Sequence, residues 1–360
     1  IKTVGVQALL LVEDSIRFYS SYLPNMYKII FKQSKSFMTE GLNEHQMMLR
    51  MRGRPKILLA TNYEQAMHYY EEYKNNLIGI ITDVSYKTKG IEDPEAGIRF
   101  IKKVKSEDEF IPMLMQSSDY SRNAIAHELQ VGFLHKLSPT LSHELRNFII
   151  QFFAFGDFVF VDPDTKKEVH RAADLKTLQQ IIFDIPDKSF EYHVYRNHIS
   201  KWLYARALFP LAELFRDLRP DDFDNLDDIR QFIFEAIATF RLNKARGIIA
   251  EFNPKSFDEY LSFTRVGQGS IGGKARGLAF LDSMLKRNRM IDKWPGVLLI
   301  IPRTVVMGTD IFDEFLEINN LYQVAISGIP DDELLLRFVK SKLPDKLLND
   351  LKTFITVVKK

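Results

Sequence analysis

The sequence predicts a multidomain α/β protein that begins with a doubly wound, five-stranded parallel sheet. Three features of the first 155 residues predict the sheet: short continuous apolar runs, amphipathic segments between them, and polar residues directly after the runs. Continuous apolar runs are typical of parallel strands, because helices cover both faces of such a sheet. A chain of 360 residues has room for two or three domains.

The predicted elements of this first domain alternate along the chain. The strands are Ala8–Val12, Lys56–Ala60, Leu77–Ile81, Ile111–Met115 and Val131–Leu134. Helices are predicted over Tyr63–Lys74, Ala96–Lys105 and Ser121–Leu129, and a closing helix from Pro139 to Phe153 has one apolar stripe. A doubly wound sheet of this kind binds its ligands at the carboxyl ends of the strands.

Polar side chains follow four of these strands. They are Glu13-Asp14 after the first strand, Thr82-Asp83 after the third, Gln116-Ser117-Ser118 after the fourth and His135-Lys136 after the fifth. Carboxylates that meet at one sheet edge suit Mg²⁺. A lysine and a hydroxyl beside them suit a phosphoryl group. The sequence therefore predicts a site for Mg²⁺ and a phosphoryl group at this edge.

At these positions the segment resembles the receiver domains of bacterial response regulators, which implies a CheY-like fold. The resemblance implies a Mg²⁺ site at Glu13, Asp14 and Asp83, a phosphoacceptor at Asp83, and switch residues at Ser117, Phe133 and Lys136. It also implies an upstream histidine kinase or a small phosphodonor such as acetyl phosphate. An inert receiver, kept for packing, is the alternative.

The segment departs from the receiver pattern in three places. The proline that usually follows the lysine is displaced to Pro139, and Val84-Ser85-Tyr86 with a longer loop to Asp93-Pro94 replaces the usual Met-Pro. A basic stretch, Phe31 to Arg54, extends the first helix and is either an interaction surface or a solvated face. The closing helix also resembles the Ser-His-Glu-Leu-Arg motif of sensor histidine kinases, at residues Ser142 to Arg146. The Thr-Pro that follows this motif in the kinases is missing here, so we interpret His143 as a surface residue.

Residues 156–262 are predicted to form a helical connector with a short hairpin. The hairpin comprises Phe158–Val161 and Lys167–Val169, and three helices follow it. The first helix is capped by Asp174, the second runs from about Phe190 to Leu218 with a kink at Pro210, and the third runs from about Leu226 to Arg246. His193 and His198 are five residues apart, which does not place them on one helix face, so we interpret both as structural.

The densest glycine cluster, Gly267 to Leu278, predicts a phosphate-binding loop before a helix that starts near Lys274. A P-loop does not fit, because Gln268 stands at its first glycine and Ala275 follows the lysine. Gly267-x-Gly269-x-x-Gly272 matches the dinucleotide fingerprint, but the residues before it are a poor strand.

The third interpretation of this cluster is a resemblance. Ile271-Gly272-Gly273-Lys274-Ala275-x-Gly277-Leu278 resembles the start of the ATP-grasp nucleotide-binding domain of phosphoenolpyruvate synthases and pyruvate phosphate dikinases. The segment Ile301 to Asp310, with Phe315-Leu316, aligns to the next strand and helix of that family. The resemblance covers residues 263–360 and implies ATP binding by Gly272, Gly273 and Lys274. A glycine-rich turn that caps a helix is the alternative.

Composition excludes several classes of protein. Forty-nine basic and 47 acidic residues give a net charge of +2, which indicates neither nucleic acid nor membrane as a partner. The chain has no cysteine, so disulfides and thiolate metal sites are excluded. No apolar run reaches membrane-spanning length, and we expect a cytoplasmic protein. The first residue is Ile, so we expect a part of a longer chain.

The sequence thus predicts three domains: a receiver-like domain over 1–155, a connector over 156–262 and the start of an ATP-grasp domain over 263–360. The second resemblance implies a parent enzyme that transfers phosphoryl groups between ATP, a catalytic histidine and pyruvate or phosphoenolpyruvate. We expect this segment alone to be inactive. The alternative is a two-component response regulator whose C-terminal part is a non-catalytic scaffold.

Overall fold

The computed structural model describes residues 5–38, 44–216, 218–253, 257–288, 290, 293–297 and 299–358. The chain forms two compact units, Ile1–Gly41 with His45–Ala238, and Leu42–Glu44 with Thr239–Lys360. The boundary falls inside the segment predicted as the connector, and the division into three domains stays a prediction. Among the described residues, no helix has the length and apolar character needed to cross a membrane.

Five parallel strands form the central sheet of the first unit. They are β1 (Ala8–Val12), β2 (Lys56–Ala60), β3 (Leu77–Asp83), β6 (Met113–Ser117) and β7 (Gly132–His135), while β4 (Tyr86–Thr88) and β5 (Ile91–Asp93) form a separate hairpin. Their spatial order is β2-β1-β3-β6-β7. This is the order of the flavodoxin-like doubly wound fold that CheY shares. The predicted five-stranded parallel sheet is therefore confirmed.

Helices cover both faces of this sheet. The helices of this domain are α1 (Ile16–Met38), α2 (Glu44–Arg52), α3 (Tyr63–Tyr73), α4 (Ala96–Glu107), α5 (Asn123–Glu128) and α6 (Leu141–Phe152). Side chains of α3, α4 and α5 join one apolar core, and those of α1 and α6 join the other. The long apolar runs of the strands supply both cores, because their alternate residues face opposite sides.

The β4–β5 hairpin corrects the sequence prediction, which had a loop after Asp83. Tyr86 starts the hairpin and is fully buried, so it anchors the insertion in the core. Arg99 pairs with Asp93 at 2.5 Å, and Thr88 donates to the same carboxylate. Three-residue strands carry too weak an alternation of apolar and polar residues to be predicted.

The connector elements are β8 (Phe158–Val161), β9 (Glu168–Ala172), α7 (Leu175–Ile181), α8 (Asp187–Tyr195), α9 (His198–Ala205), α10 (Phe209–Arg216) and α11 (Leu226–Ala245). The first unit ends within α11, after Ala238. The single helix predicted from Phe190 to Leu218 is wrong, because α8, α9 and α10 replace it. Asn197 and Ala207 break it with φ angles of 57° and 56°. Pro210 lies in the first turn of α10, where a backbone N–H would have no partner within the helix, so its lack of an N–H costs no hydrogen bond.

The connector helices form hydrogen bonds to backbone carbonyls on both sides of the junction between the receiver-like domain and the connector. Trp202 donates Nε1–H to the carbonyl oxygen of Gly156 at 3.1 Å. The buried Arg206 donates to the carbonyl oxygens of Ala154, Gly156 and Ala173 at 3.3, 2.8 and 3.4 Å. Its guanidinium also stacks on the Trp202 ring at 3.9 Å. The two parts of this unit therefore share one packed interface.

The second unit contains a parallel three-stranded sheet in the order β10-β11-β12. Its elements are β10 (Ile249–Glu251), β11 (Phe263–Val266), α12 (Gly273–Arg287), β12 (Thr304–Met307), α13 (Thr309–Ile318), α14 (Leu321–Ala325), α15 (Asp331–Lys340) and α16 (Asp345–Val358). The predicted helix start near Lys274 is confirmed. The objection that a poor strand precedes the glycine cluster is wrong, because β11 is parallel to β12 on either side of α12. Assignment to the ATP-grasp class stays a prediction.

Candidate functional site

The carboxyl edge of the five-stranded sheet brings three carboxylates together. Glu13 and Asp14 follow β1, and Asp83 ends β3, which is the neighbour of β1. One carboxylate oxygen of each lies within 4.8 Å of the other two. Parallel strands that pair in register end at the same edge, which is why residues 69 or 70 positions apart meet here. Hard oxygen ligands at such spacing fit Mg²⁺.

Lys136 lies between two of these acids. Its Nζ is 2.6 Å from Asp83 Oδ2 and 2.6 Å from Glu13 Oε2. The side chain is only 5% exposed, and its ammonium group is 4.4 Å from the ring centre of Phe18 on α1. A buried ammonium group needs such partners, since an unpaired charge in the interior is costly.

The two buried acids hold their protons more tightly than acids in water. Burial, and then the charge of Asp83, raises the pKa of Glu13 to about 7, although Lys136 and the N–H of Ser15 act in the opposite direction. Burial also raises the pKa of Asp83, again against Lys136 and against the Val84 N–H that donates to Oδ1 at 2.7 Å. Burial is the largest cause of both shifts, and a neighbouring carboxylate adds to each. A cation bound between these acids would favour their charged forms.

Gln116 is a member of this cluster that the sequence prediction did not include among the site residues. It is fully buried and donates Nε2–H to Glu13 Oε2 at 3.0 Å. Because it is the register partner of Asp83 on β6, its side chain faces the same side of the sheet. A glutamine at the end of an otherwise apolar strand was the signal that could have identified it.

The predicted switch residues Ser117 and Phe133 contact described residues other than Asp83. The Oγ of Ser117 accepts the N–H of Asp119 at 3.0 Å, and the carbonyl oxygen of Ser117 accepts the N–H of Lys136 at 2.9 Å. Phe133 is half-buried on β7 and meets the exposed Tyr120 edge-on, with ring centres 5.8 Å apart. His143, which the sequence placed on the surface, is exposed on α6 and contacts Asn147.

In the glycine cluster, Asp310 takes the place that the sequence prediction gave to a phosphate. Its carboxylate accepts the N–H groups of Gln268 and Gly269 at 2.7 and 2.8 Å, and Thr309 Oγ1 accepts that of Ser270 at 3.1 Å. These bonds lower the pKa of Asp310. The first half of the cluster is thus closed by a side chain of the chain itself.

Glycine is required in this first half by the approach of Asp310. A Cβ at Gly267 or at Gly269 would lie 2.6 Å from Asp310 Oδ1, and Gly267 has a φ of +91°. In the second half, by contrast, a Cβ at Gly272, Gly273 or Gly277 would meet no atom of the described residues within 4 Å. Lys274 is exposed in the first turn of α12.

Comparisons with known proteins find only distant likenesses, which are to solved structures. No family model matches the chain, and no curated protein matches it. Similar solved structures include a response regulator receiver domain protein from Clostridium thermocellum, at 14% identity and a TM-score of 0.28. The match covers 41% of this chain and 94% of that protein's chain.

A second similar structure is a protein assigned as a response regulator from Chloroflexus aurantiacus J-10-fl. It has 22% identity and a TM-score of 0.25, and it covers 41% of this chain and 99% of its own. At these identities and TM-scores the likeness carries no argument. The receiver-type fold therefore rests on the strand order and connections of this chain.

Proposed function

We propose that the N-terminal domain is a receiver that accepts a phosphoryl group on Asp83. The contact of Lys136 Nζ with Asp83 Oδ2 at 2.6 Å, beside Glu13 and Asp14, is the observation that carries this proposal. Phosphoryl transfer depends on positioning and on balancing charge, and these groups supply both.

In the proposed reaction a carboxylate oxygen of Asp83 attacks the phosphorus of the donor. The bond from phosphorus to the donor nitrogen or oxygen breaks, its electron pair leaves with the imidazole or acetate, and an acyl phosphate forms. Lys136 then contacts a phosphoryl oxygen instead of the free carboxylate, and Ser117 offers a hydroxyl to another. Glu13, Asp14 and Asp83 would hold Mg²⁺, which neutralises the charge of the carboxylates and the phosphoryl group.

The test is labelling of the whole chain with acetyl phosphate and Mg²⁺, followed by intact-mass measurement. Wild type is expected to gain one phosphoryl group and Asp83→Asn none. Asp224→Asn, at an exposed carboxylate of the same unit, is the matched control and is expected to label like wild type. Equal labelling of Asp83→Asn would refute the assignment. No labelling of wild type would favour the inert receiver.

We further propose that the second half of the glycine cluster binds ATP phosphates through Gly272, Gly273 and Lys274. The observation in favour is that the folded chain gives no steric reason for glycine at Gly272 or Gly273. Close approach of a ligand to the backbone is a reason, and the N–H groups that start α12 suit an anion. With the family resemblance, this supports a longer phosphoenolpyruvate synthase-like phosphotransferase that uses ATP and pyruvate or phosphoenolpyruvate.

In the longer parent chain, Lys274→Ala tests this second proposal by calorimetry with ATP, alongside a thermal melt. A charge-assisted bond is worth about 1.5–3 kcal/mol, so ATP affinity is expected to fall by about ten- to hundredfold. Lys346→Ala, at an exposed lysine of α16, is the control and is expected to bind ATP like wild type. Unchanged affinity in Lys274→Ala would refute the role and favour the non-catalytic scaffold.

A further inference from the structure

A pair of histidines lies away from the Asp83 site, in the turn between α8 and α9. His193 is in the last turn of α8 and His198 is the first residue of α9. Asn197, with a φ of 57°, turns the chain between them. As a result the two Nδ1 atoms are 3.0 Å apart, although five residues on one continuous helix would not meet.

A backbone N–H assigns the tautomers of this pair. The N–H of Val161, at the end of β8, points at Nε2 of His193 at 3.0 Å, so this nitrogen is the unprotonated acceptor. Neutral His193 therefore carries its proton on Nδ1 and donates it to Nδ1 of His198. His198 in turn carries its proton on Nε2. This chain of bonds joins β8, α8 and α9, and it exists only while both imidazoles are neutral.

No described residue acts as a counter-ion for a protonated imidazole of this pair. The rings of Phe158, Phe160 and Tyr192 surround His193 with centres 5.1–5.3 Å away. The neighbouring charges are positive: Arg196 in the turn, Lys201 on α9, and Lys166 from the β8–β9 turn, which lies over Tyr192. From the loop at 108–112, Asp108 acts on Lys201. Burial and Arg196 lower the pKa of His193 to about 4.

The same turn carries contacts between the connector and the receiver-like domain. Lys201 Nζ donates to the carbonyl oxygen of Phe110 at 3.2 Å. Tyr195 meets the Phe110 ring edge-on at 6.1 Å, and the Arg196 guanidinium lies 5.0 Å from the centre of that ring. The position of α8 relative to α9 therefore sets how the 108–112 loop is held.

We propose that His193 and His198 form an acid-sensitive lock: adding a proton to either ring breaks the β8–α8–α9 bonds and releases the connector from the 108–112 loop. A proton on Nε2 of His193 would face the N–H of Val161. A proton on Nδ1 of His198 would face the N–H of His193. Each case replaces a hydrogen bond with two opposed N–H groups.

Trypsin measures this opening, because Arg196 lies between the two histidines and Lys201 follows His198. Cleavage at these two sites of the whole chain is followed from pH 7.5 to 5 and divided by the rate on an unstructured peptide of the same sequence. Where closing outpaces cleavage, the ratio follows the opened population. As pH falls below the ordinary histidine pKa of about 6.5, the opened population is expected to increase, for each imidazole, by a factor that approaches about ten for every unit by which pH is lowered.

Two variants separate the lock from a purely structural pair. His198→Asn keeps an oxygen acceptor at the Nδ1 position and is expected to halve the logarithmic slope. His193→Gln combined with His198→Asn is expected to abolish it. His143→Gln removes an exposed imidazole and is expected to keep the full slope. A wild-type ratio that does not change with pH, or a slope in His198→Asn equal to that of wild type, would overturn the proposal. If the double variant is already open at pH 7.5, the slope of His198→Asn alone is the deciding measurement.

Discussion

Gly97→Ala tests how closely α4 approaches the proposed phosphoacceptor. Gly97 is the second residue of α4, and its N–H donates to the carbonyl oxygen of Val84 at 2.9 Å. A Cβ built on Gly97 would lie 1.9 Å from the carbonyl oxygen of Asp83 and 2.9 Å from the Cα of Val84. Both are backbone atoms, so no side-chain rotation relieves the overlap.

The size of the effect follows from these distances. Ordinary contact begins at 3.4 Å, so the Asp83 backbone or the start of α4 must move by about 1.5 Å, the difference between 3.4 and 1.9 Å. Overpacking of this kind costs about 1–3 kcal/mol, against a helix gain of about 0.5–1 kcal/mol for alanine over glycine. These two contributions leave a net loss of up to about 2.5 kcal/mol in the free energy of unfolding. Because a displacement of about 1 Å costs about a hundredfold in rate, labelling by acetyl phosphate should fall by at least that factor.

The assay pairs urea unfolding with the labelling rate in the same preparation. Gly277→Ala is the matched control, because it lies in α12 and its Cβ would meet nothing within 4 Å. It is expected to gain about 0.5–1 kcal/mol and to label like wild type. If Gly97→Ala has the same free energy of unfolding and the same labelling rate as wild type, the start of α4 does not lie as close to the backbone of Asp83 as these distances indicate.

Three further predictions concern buried or capping charges. In EDTA, Glu13→Gln is expected to stabilise the chain by about 3 kcal/mol at pH 8 and by little at pH 4.5. Folding raises the pKa of Glu13 from 4.5 to about 7, so ionisation of this carboxyl lowers the stability of the wild type as pH rises through that window. A difference between the urea midpoints of variant and wild type that does not grow with pH would contradict this. Arg206→Met removes the donor of the Ala154 and Ala173 carbonyls and one of the two donors of the Gly156 carbonyl, and it is expected to cost about 3 kcal/mol in urea unfolding. Arg171→Met, whose ion pairs are exposed, should cost about 0–1 kcal/mol. Equal costs would argue against the role of Arg206. Asp310→Asn keeps only one side-chain oxygen to accept the N–H groups of Gln268 and Gly269. Hydrogen exchange at one of these amides is expected to become about tenfold faster, since the lost hydrogen bond is worth about 1 kcal/mol or somewhat more. Unchanged exchange would show that the carboxylate does not close the loop.

The sequence by itself determined the first domain almost completely. The predicted bounds of β1 and β2 agree with the structure, and β3, β6 and β7 differ by at most two residues at either end. Each strand is a continuous apolar run with a polar residue after it, and burial on both faces leaves no other arrangement for such runs. The meeting of Glu13, Asp14 and Asp83 at one edge followed from the same pattern, because parallel strands end together. Their chemical roles stay predictions.

Only the tertiary structure decided the features whose partners are distant in sequence. Gln116 bonds to Glu13 across 103 positions, and Asp310 closes the glycine loop across 41 or 42. The break at Asn197, which brings His193 to His198, overrides the local helical pattern because packing of α8 and α9 outweighs the small preference of each residue for a helix. Local patterns report which face of an element is buried. They do not report which polar atom on another element will complete a hydrogen bond, because that depends on how the elements pack in three dimensions.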